Sequence, residues 1–584
     1  MDDVWSTNVW DDLKLFLPKN ENGSRILVTS RLSNVVVSLS SNKPYMMDFL
    51  DEDKSWNLLC QEIFSQESCP YPELENIGKK IAKGCNGLPL AIVVLGGLLG
   101  KSNMTRESWE LVAKNLTSVA NSEDDDYCLR ILSLSYNNLP IHLKPCFLYM
   151  RVFREDYKIT VSKLTKLWVA EGFLKPIRGK SLEQAAEAYL RDLIDRNLIL
   201  VRTYGHGRII ETCGIHDLLR DVCLREYEKE HFMRSPKVQR AYIRRRHDMC
   251  FACGRNPASQ MIDLNEVHVA SQLTSLVSVS LCNTCRNMYP SLTRVRLVRV
   301  RVKVIRKGFS GESYEEILHP TNVRYLKVKS SDDWEFAFPS AMALLWNLQV
   351  LTFGLKYGVP KAVLPPEIFD MPQLRHLVAP RKSVVLPDQT GTQGSISMAN
   401  LQTLFHITNF RCTEEIIKRM PNLKELKVSY YGGTGSIERS HYCLHNLARL
   451  RKLESLFVGG NGLLSLENLR FRLHLRSCVW QEWNQVEGEF PRLKVLTIFD
   501  CHLVWWRAEN VHFPNLESLF LSFMWKLEEI PSVIGDIPTL RSIHLESCNN
   551  SLVNSAIQIL EEQQSYGNES LQLYVDEKQV VCAS

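Results

Sequence analysis

A few residues of this chain have the types and the placing to handle a phosphorylated ligand. His216 and Asp217 open the amphipathic stretch Gly214-Ile215-His216-Asp217-Leu218-Leu219-Arg220-Asp221, so both stand at the N-terminus of an expected helix. A helix start attracts anions, because its unpaired N–H groups and its dipole place positive charge there, and the same field steadies an acid. Taken alone, the pair is explained equally well as a capped connector between two parts of the chain. Asp2 and Asp3 are adjacent acids, and paired acids at a strand end can hold Mg²⁺ through water and orient an attacking water. Two solvated acids near a terminus are the plainer reading of that pair. Arg31 follows the run Ile26-Leu27-Val28 and is placed to reach a γ-phosphate.

The elements that would carry these groups can be traced by periodicity. Ile26 to Val28 form a short buried strand bounded by turn and polar residues. Leu74, Ile77 and Ile81 recur at helical spacing, and Gly84 ends that helix. Pro89 begins the next one, where a missing N–H costs nothing, and Leu90 to Leu99 is apolar on all sides, as in a buried helix. Its end, Gly96-Gly97-Leu98-Leu99-Gly100-Lys101-Ser102, imitates a phosphate loop. The pattern G-x-x-x-x-G-K-[ST] needs glycine where Leu95 stands, and the run ends a helix instead of joining a strand to one, so it is no such loop. No other glycine-rich phosphate loop occurs in the sequence.

Beyond the solvated acidic loop Glu123–Asp126, helices are expected at Leu129–Leu139, Leu143–Phe153, Val161–Phe173 and Leu182–Asn197. Strands Leu198–Thr203 and Arg208–Cys213 follow, joined through Gly205-His206-Gly207 as a hairpin. Helices followed by a two-stranded wing make a winged helix. The last helix carries Glu183, Glu187, Asp192 and Asp195 against Arg191 and Arg196, a net of −2, and phosphates would repel that face. DNA is therefore excluded as its partner.

The composition fits this reading. A chain of 584 residues should hold three or four domains, and 45% hydrophobic with 23% charged residues is ordinary for globular protein. Net charge of +5 is too mild for a dedicated nucleic-acid binder. Scattered cysteines, no basic-then-apolar start and no apolar run of spanning length place the chain in the cytoplasm. Cys250/Cys253 and Cys282/Cys285 are 28 residues apart, longer than usual zinc spacers, and Leu276 to Leu281 before the second pair looks like sheet. Arg294, Arg296, Arg299, Arg301 and Lys303 alternate with apolar residues, as in a strand with one basic face. That face is a candidate surface for acidic partners or for the chain's own acidic helices.

From Val323 onward one pattern recurs. It runs Val323-x-x-Leu326-x-Val328, Leu348-x-x-Leu351-x-Phe353, Leu374-x-x-Leu377-x-Ala379, Leu401-x-x-Leu404 and Leu423-x-x-Leu426-x-Val428. It continues with Leu453-x-x-Leu456-x-Val458, Leu493-x-x-Leu496-x-Ile498, Leu516-x-x-Leu519-x-Leu521 and Leu540-x-x-Ile543-x-Leu545. The intervals of 25, 26, 27, 22, 30, 40, 23 and 24 mark leucine-rich repeats, and the 40 is expected to hide a degenerate unit around Leu466–Leu475. Each unit contributes one strand whose leucines point inward, and stacking buries a continuous core.

The ordered motifs Asp2-Asp3-Val4-Trp5, Gly23–Arg31, Gly87-Leu88-Pro89-Leu90, Cys146-Phe147-Leu148-Tyr149-Met150, Leu167–Phe173 and Ile215-His216-Asp217 resemble plant NB-ARC leucine-rich-repeat resistance proteins. Leu193–Thr203 and the final repeats look most like the late-blight-resistance group of the coiled-coil class. The resemblance implies a multidomain α/β chain: a remnant of a P-loop-type nucleotide-binding domain (1–66), a helical bundle (67–128), a winged helix (129–230), a linker (231–265) and a leucine-rich-repeat solenoid (266–584).

It also implies an intracellular immune receptor, a switch and not an enzyme. ADP holds it closed. A pathogen effector or guarded host protein, sensed by the repeats, permits exchange to ATP, self-oligomerisation and hypersensitive cell death; peripheral membrane association is compatible with the family. By resemblance Asp2 coordinates Mg²⁺ and Asp3 is the adjacent acid. Arg31 senses the γ-phosphate, Pro89 packs on the adenosine part, His216 contacts the ADP β-phosphate, and Asp217 steadies the closed winged helix. The family's coiled coil and phosphate loop do not occur in this sequence, so a truncated form with very weak nucleotide binding is expected. The alternative is a nucleotide-independent repeat scaffold or a non-functional remnant. Ile215 replaces the family's methionine, and Arg151 and Arg154 stand where glycine and proline are usual, so the turn after Met150 is expected to differ.

Overall fold

The computed structural model describes residues 4, 26–30, 32, 35, 37, 45–120, 127–205, 209–232, 277–281, 297–302, 324–330, 336–337, 345–354, 362–379, 384–387, 397–430, 442–459, 482–484, 490–499 and 503–580. The chain divides into two compact units, Met1–Lys158 with Tyr189–Tyr227 and Ile159–Ala188 with Glu228–Ser584.

The first unit is helical. α1 (Glu52–Phe64) starts where the Asp51 carboxylate accepts the Lys54 N–H at 2.8 Å, and two acids follow in its first turn. α2 (Pro72–Lys83) buries Leu74, Ile77 and Ile81, as their spacing requires. Gly84 does end it, but in a right-handed conformation; the left-handed residues are Asn86 and Gly87 beyond. α3 (Pro89–Gly100) is buried along nearly its whole length and shares one core with α4 (Arg106–Ala120), whose buried Trp109 stacks on Phe64 of α1, and with α5 (Tyr127–Asn137). Gly96 and Gly97 of the imitation phosphate loop are packing glycines. A Cβ on Gly97 would lie 2.4 Å from the Arg196 carbonyl, and one on Gly96 2.8 Å from the Glu62 Cβ.

α6 (Lys144–Tyr149) passes into a 3-10 turn, Met150–Val152, so the helix expected to Phe153 stops early. α7 (Val161–Glu171) and α8 (Leu182–Asp195) follow. After α8, Asn197 takes a φ of 56°, and the N–H groups of Leu198 and Ile199 both turn back to the Leu193 carbonyl. These bonds delay the hairpin, whose strands are β1 (Leu200–Tyr204) and β2 (Ile210–Gly214), each later than the sequence suggests. α9 (Asp217–Phe232) comes next.

Ile26–Val28 is not the expected buried strand. Residues 26–30 adopt no strand conformation, and Ile26 and Leu27 are 48% and 81% exposed. Val4 donates to the Thr29 carbonyl at 2.9 Å and accepts from Ser30 Oγ at 2.6 Å. A three-residue apolar run becomes a buried strand only where neighbours cover both faces, and among the described residues this one lacks that cover.

In the second unit a parallel ladder runs in chain order through β3 (Val277–Leu281), β4 (Leu297–Val302), β5 (Tyr325–Ser330), β6 (Val350–Gly354), β7 (His376–Val378), β8 (Thr403–Thr408), β9 (Glu425–Ser429), β10 (Ser455–Gly459), β11 (Val495–Phe499), β12 (Ser518–Ser522), β13 (Ser542–Glu546) and β14 (Gln572–Val575). β15 (Lys578–Val580) closes it as an antiparallel hairpin with β14. The register places Leu326, Leu351, Leu377, Leu404, Leu426, Leu456, Leu496, Leu519, Ile543 and Leu573 in one column. All ten are buried in a single core.

The interval of 40 hides no further unit in this ladder, because β10 pairs directly with β11. Its surplus chain includes Glu482–Asn484, which pairs with Trp505–Arg507 in a separate two-stranded sheet; Leu466–Leu475 lie outside the described residues. Carbonyls between repeats are satisfied by asparagines that precede three of the first leucines. Asn400 donates to Pro372, Asn422 to Ala399 and Asn515 to Pro491, at 2.6–2.9 Å.

α7 and the start of α8 belong to this unit through a buried ion cluster. Arg375 Nε and Nη2 grip both Glu183 oxygens at 2.7 and 2.8 Å, a bidentate pair. His376 Nε2 lies 3.2 Å from the same carboxylate, and its Nδ1 lies 3.0 Å from Thr403 Oγ1. Thr403 in turn donates to Glu425 at 3.0 Å, and Lys166 lies over the Phe405 ring. Burial would raise the Glu183 carboxyl, but His376 and Arg375 hold it well below the usual carboxylate range. Burial, opposed by the Glu183 hydrogen bond and aided by the Lys166 charge, lowers His376 to about 4.

Two outcomes follow from this packing. Leu519→Ala, at a fully buried position, should cost about 2–5 kcal/mol. Because stacked repeats contact only their neighbours, hydrogen exchange should rise in β11 and β13 and stay unchanged in α1–α5. For the cluster, the unfolded chain takes up a proton on His376 near its ordinary value of 6.5, while the folded chain does so only at about 4. Stability is then complete above pH 6.5 and falls towards pH 4 by at most about 3 kcal/mol. Melting measured across that range should show the fall, and His376→Gln should flatten it.

Candidate functional site

His216 is the N-cap of α9: its carbonyl accepts the Arg220 N–H at 2.9 Å, and its Nδ1 accepts the Leu218 N–H at 3.2 Å. An accepting Nδ1 carries no hydrogen, so the neutral ring bears its proton on Nε2, which is then a donor. Asp217 is the first residue of α9. Ile215 and Cys213 just before are buried and fix the chain's entry. The start of α9 therefore places a ring N–H and an acid side by side.

What holds α9 in place is one face, read at Arg220, Cys223 and Tyr227. Arg220 Nε donates to the Phe153 carbonyl at 2.8 Å, and its Nη1 lies 3.3 Å from Glu155. Cys223 Sγ meets the Phe147 carbonyl at 3.2 Å. Arg151 lies 3.3 Å from the centre of the Tyr227 ring, while its Nη1 donates to the Leu148 carbonyl. Beside them the buried Glu226 accepts from Ser133 Oγ at 3.0 Å. The turn after Met150 thus uses Arg151 as a stacking and capping residue.

Pro89 occupies the first turn of α3 and is exposed. Its approach is fixed by Gly87, whose φ is +68° and where a Cβ would lie 2.2 Å from the Leu50 carbonyl oxygen. Leu50 N donates to the Gly87 carbonyl at 3.0 Å, and Tyr127 Oη caps the Gly84 carbonyl. The Gly87-Leu88-Pro89 corner is thereby held against residues 49–50. Pro89, His216 and Asp217 all open helices of the first unit. Asp2, Asp3 and Arg31 lie outside the described residues, as do both Cys-x-x-Cys pairs.

Pro89 is exposed, while His216 and Asp217 are half-buried at the start of α9. Among the described residues no group of three or more His, Cys, Asp or Glu is placed to hold a metal. Burial pushes the thiols of Cys85, Cys213 and Cys412 up to about 12, too high for nucleophiles at neutral pH.

Sequence reasoning gave no role to Arg151, Arg220, Glu226 or the Glu183–Arg375 pair. For α9 a signal existed: Arg220, Cys223 and Tyr227 share one helix face, so an arginine lies on the side that docks. Arg375 gave no such signal, because only the repeat register brings it to Glu183. The acids of α8 are engaged at both ends, Glu183 by Arg375, Asp192 by Arg196 and Asp195 by Lys101. The side chains of the basic run Arg294–Lys303 lie outside the described residues. Among the described residues no helix is long and apolar enough to cross a membrane.

Comparison with known proteins extends this picture. Residues 1–69 match the NB-ARC domain family, 152–223 the disease resistance protein winged helix domain, and 275–569 the leucine-rich repeat region family. A late blight resistance protein of Solanum demissum is 32% identical over 640 residues, covering 99% of this chain and 47% of that protein. Two putative late blight resistance protein homologs from the same plant are 32% identical over 641 residues, with the same coverage. The chain spans about half the length of the curated relatives it matches. An internalin from Listeria monocytogenes superposes with a TM-score of 0.25 at 13% identity, over 54% of this chain and 89% of that one.

Arg220→Ala should lower the melting midpoint by the equivalent of about 1–3 kcal/mol and speed exchange at the Leu218 amide, because it frees the Phe153 carbonyl. Glu155→Gln, on the exposed partner, should change stability by less than about 1 kcal/mol.

Proposed function

This chain belongs to the NB-ARC leucine-rich-repeat disease-resistance proteins, and from that membership we propose that it works as a nucleotide-dependent switch in plant immunity. NB-ARC domains bind nucleotide. In this reading His216 reads the β-phosphate of ADP through its Nε2–H, Pro89 packs on the adenosine part, and Asp217 steadies the closed winged helix. Asp2, with Mg²⁺, Asp3 and Arg31 would complete the site. The observation that carries the reading is the His216 cap: α9's own Leu218 N–H fixes the ring's tautomer and puts the proton on the other nitrogen.

The repeats supply the input. A pathogen effector or a guarded host protein bound there favours exchange to ATP, self-association and cell death. Nothing in this scheme asks the chain to turn over a metabolite, so it is a switch and not a metabolic enzyme. The domain spans that go with it are 1–66, 67–128, 129–230, 231–265 and 266–584.

The test uses protein expressed from its complete reading frame, denatured, with the released nucleotide read by chromatography. The parent should carry stoichiometric ADP, and His216→Ala should lose most of it. Asp217→Val should shift occupancy from ADP to ATP and cause cell death in leaf tissue without a pathogen. Parent protein with no nucleotide would leave the repeats as a nucleotide-independent scaffold. Unchanged occupancy in both variants would refute the assigned roles.

A further inference from the structure

The concave face of the repeats changes character along its length, and the change points to a ligand. Along the middle of that face the register runs Phe405, Lys427, Phe457, Thr497, Phe520, His544 and Tyr574. Its last three rings stack in parallel: Phe520 to His544 at 4.3 Å and 11°, His544 to Tyr574 at 4.6 Å and 3°. A second aromatic row lies where the strands end. Phe499 meets Phe523 at 5.2 Å, and Phe523 meets Trp525, which is 56% exposed, at 6.4 Å.

Acids flank these rings. Glu546 is two residues beyond His544, on the same face of β13, and Asp576 is two beyond Tyr574; both are exposed. The Asp576 carboxylate is held by the Ser547 N–H at 2.8 Å. None of Ser518, Phe520, Ser522, Ser542, His544, Glu546, Gln572 and Tyr574, the outward positions of the last three parallel strands, is a lysine or arginine. Residues 503–580 hold 11 Asp or Glu against 4 Lys or Arg, a net of −7 in a chain whose total is +5.

The same face shows what its rings accept. Over Phe405 lie the ammonium groups of Lys427 at 4.8 Å and Lys166 at 5.6 Å, both supplied by the chain itself. At the far end the rings are stacked and acids stand beside them, while the outward positions of the strands provide no cation of their own.

We propose that the C-terminal concave face, from Phe520 to Tyr574 with Glu546 and Asp576, binds an arginine- or lysine-bearing segment of a partner protein. The aliphatic stem and charged head of such a side chain lie on the stacked rings, and the head pairs with the flanking carboxylates. This rests on the reading that the repeats are the recognition surface, and it names the partner's chemistry. A neutral apolar partner would gain nothing from the carboxylates, and an acidic one would be repelled.

The experiment measures fluorescence anisotropy of the full chain with labelled twelve-residue peptides of three kinds: lysine/arginine-rich, glutamate-rich and uncharged. Only the basic peptide should bind, more weakly as salt rises. Tyr574→Leu, which keeps every charge, and Glu546→Gln, which keeps every ring, should each weaken it about fivefold or more. Glu454→Gln, elsewhere on the repeats, should leave binding unchanged as a control, and circular dichroism should match the parent in each. Basic-peptide binding indifferent to both Tyr574→Leu and Glu546→Gln overturns the proposal, as does its absence. If the uncharged or acidic peptide binds instead, or if a co-expressed pathogen protein still triggers leaf cell death in both variants, the repeats remain a recognition surface of other chemistry. If no peptide binds and deleting β12–β15 leaves that response intact, recognition by the repeats fails as well.

Discussion

Backbone pairing between neighbouring strands is the constraint on which the repeat unit rests. A strand of five residues cannot satisfy its own N–H and C=O groups, so each one from Val277 onward depends on the strands before and after it. One leucine column fills the interior, and asparagines preceding the first leucines close carbonyls that the ladder leaves over. With the inner side chains committed in this way, the outer ones are free to differ from strand to strand. That freedom explains how Lys427 and His544 occupy equivalent places with different chemistry.

The helical unit obeys a different rule, in which one helix face holds a site in position. α9 offers His216 and Asp217 at its start because Arg220, Cys223 and Tyr227 are anchored on the segment from Phe147 to Glu155. In the anchoring turn Arg151 caps Leu148 and stacks on Tyr227, which joins that turn to α9.

Much of this was legible in the residues. The repeats were visible because their period is fixed and their leucines serve one role, and all nine second-position residues fall in the same column. A further member, Leu573, escaped because Ser570 stands where the first leucine should be. The strands from Val277 and Leu297 escaped the pattern because valines replace leucines there, although both read as sheet. Helix α3 and the role of Pro89 in its first turn were plain from local chemistry. Ile26–Val28 misled because three apolar residues say nothing about what covers them. Of the candidate site, His216 and Asp217 were legible as a helix start, but the Nδ1 bond that sets the histidine's tautomer depends on rotamer and not on sequence. The Glu183–Arg375 grip was invisible, since 192 residues separate partners that only the fold makes neighbours.

The hairpin of β14 and β15 carries one more implication. A parallel stack ends in a strand whose open edge can template another chain, and fibres grow that way. Here the chain reverses at Asp576-Glu577 and lays Lys578–Val580 antiparallel along the edge, short and mostly exposed. A second copy arriving end-on would meet a charged three-residue strand of the wrong direction. The short antiparallel edge strand beside the row of aromatic rings presents little backbone to a neighbour.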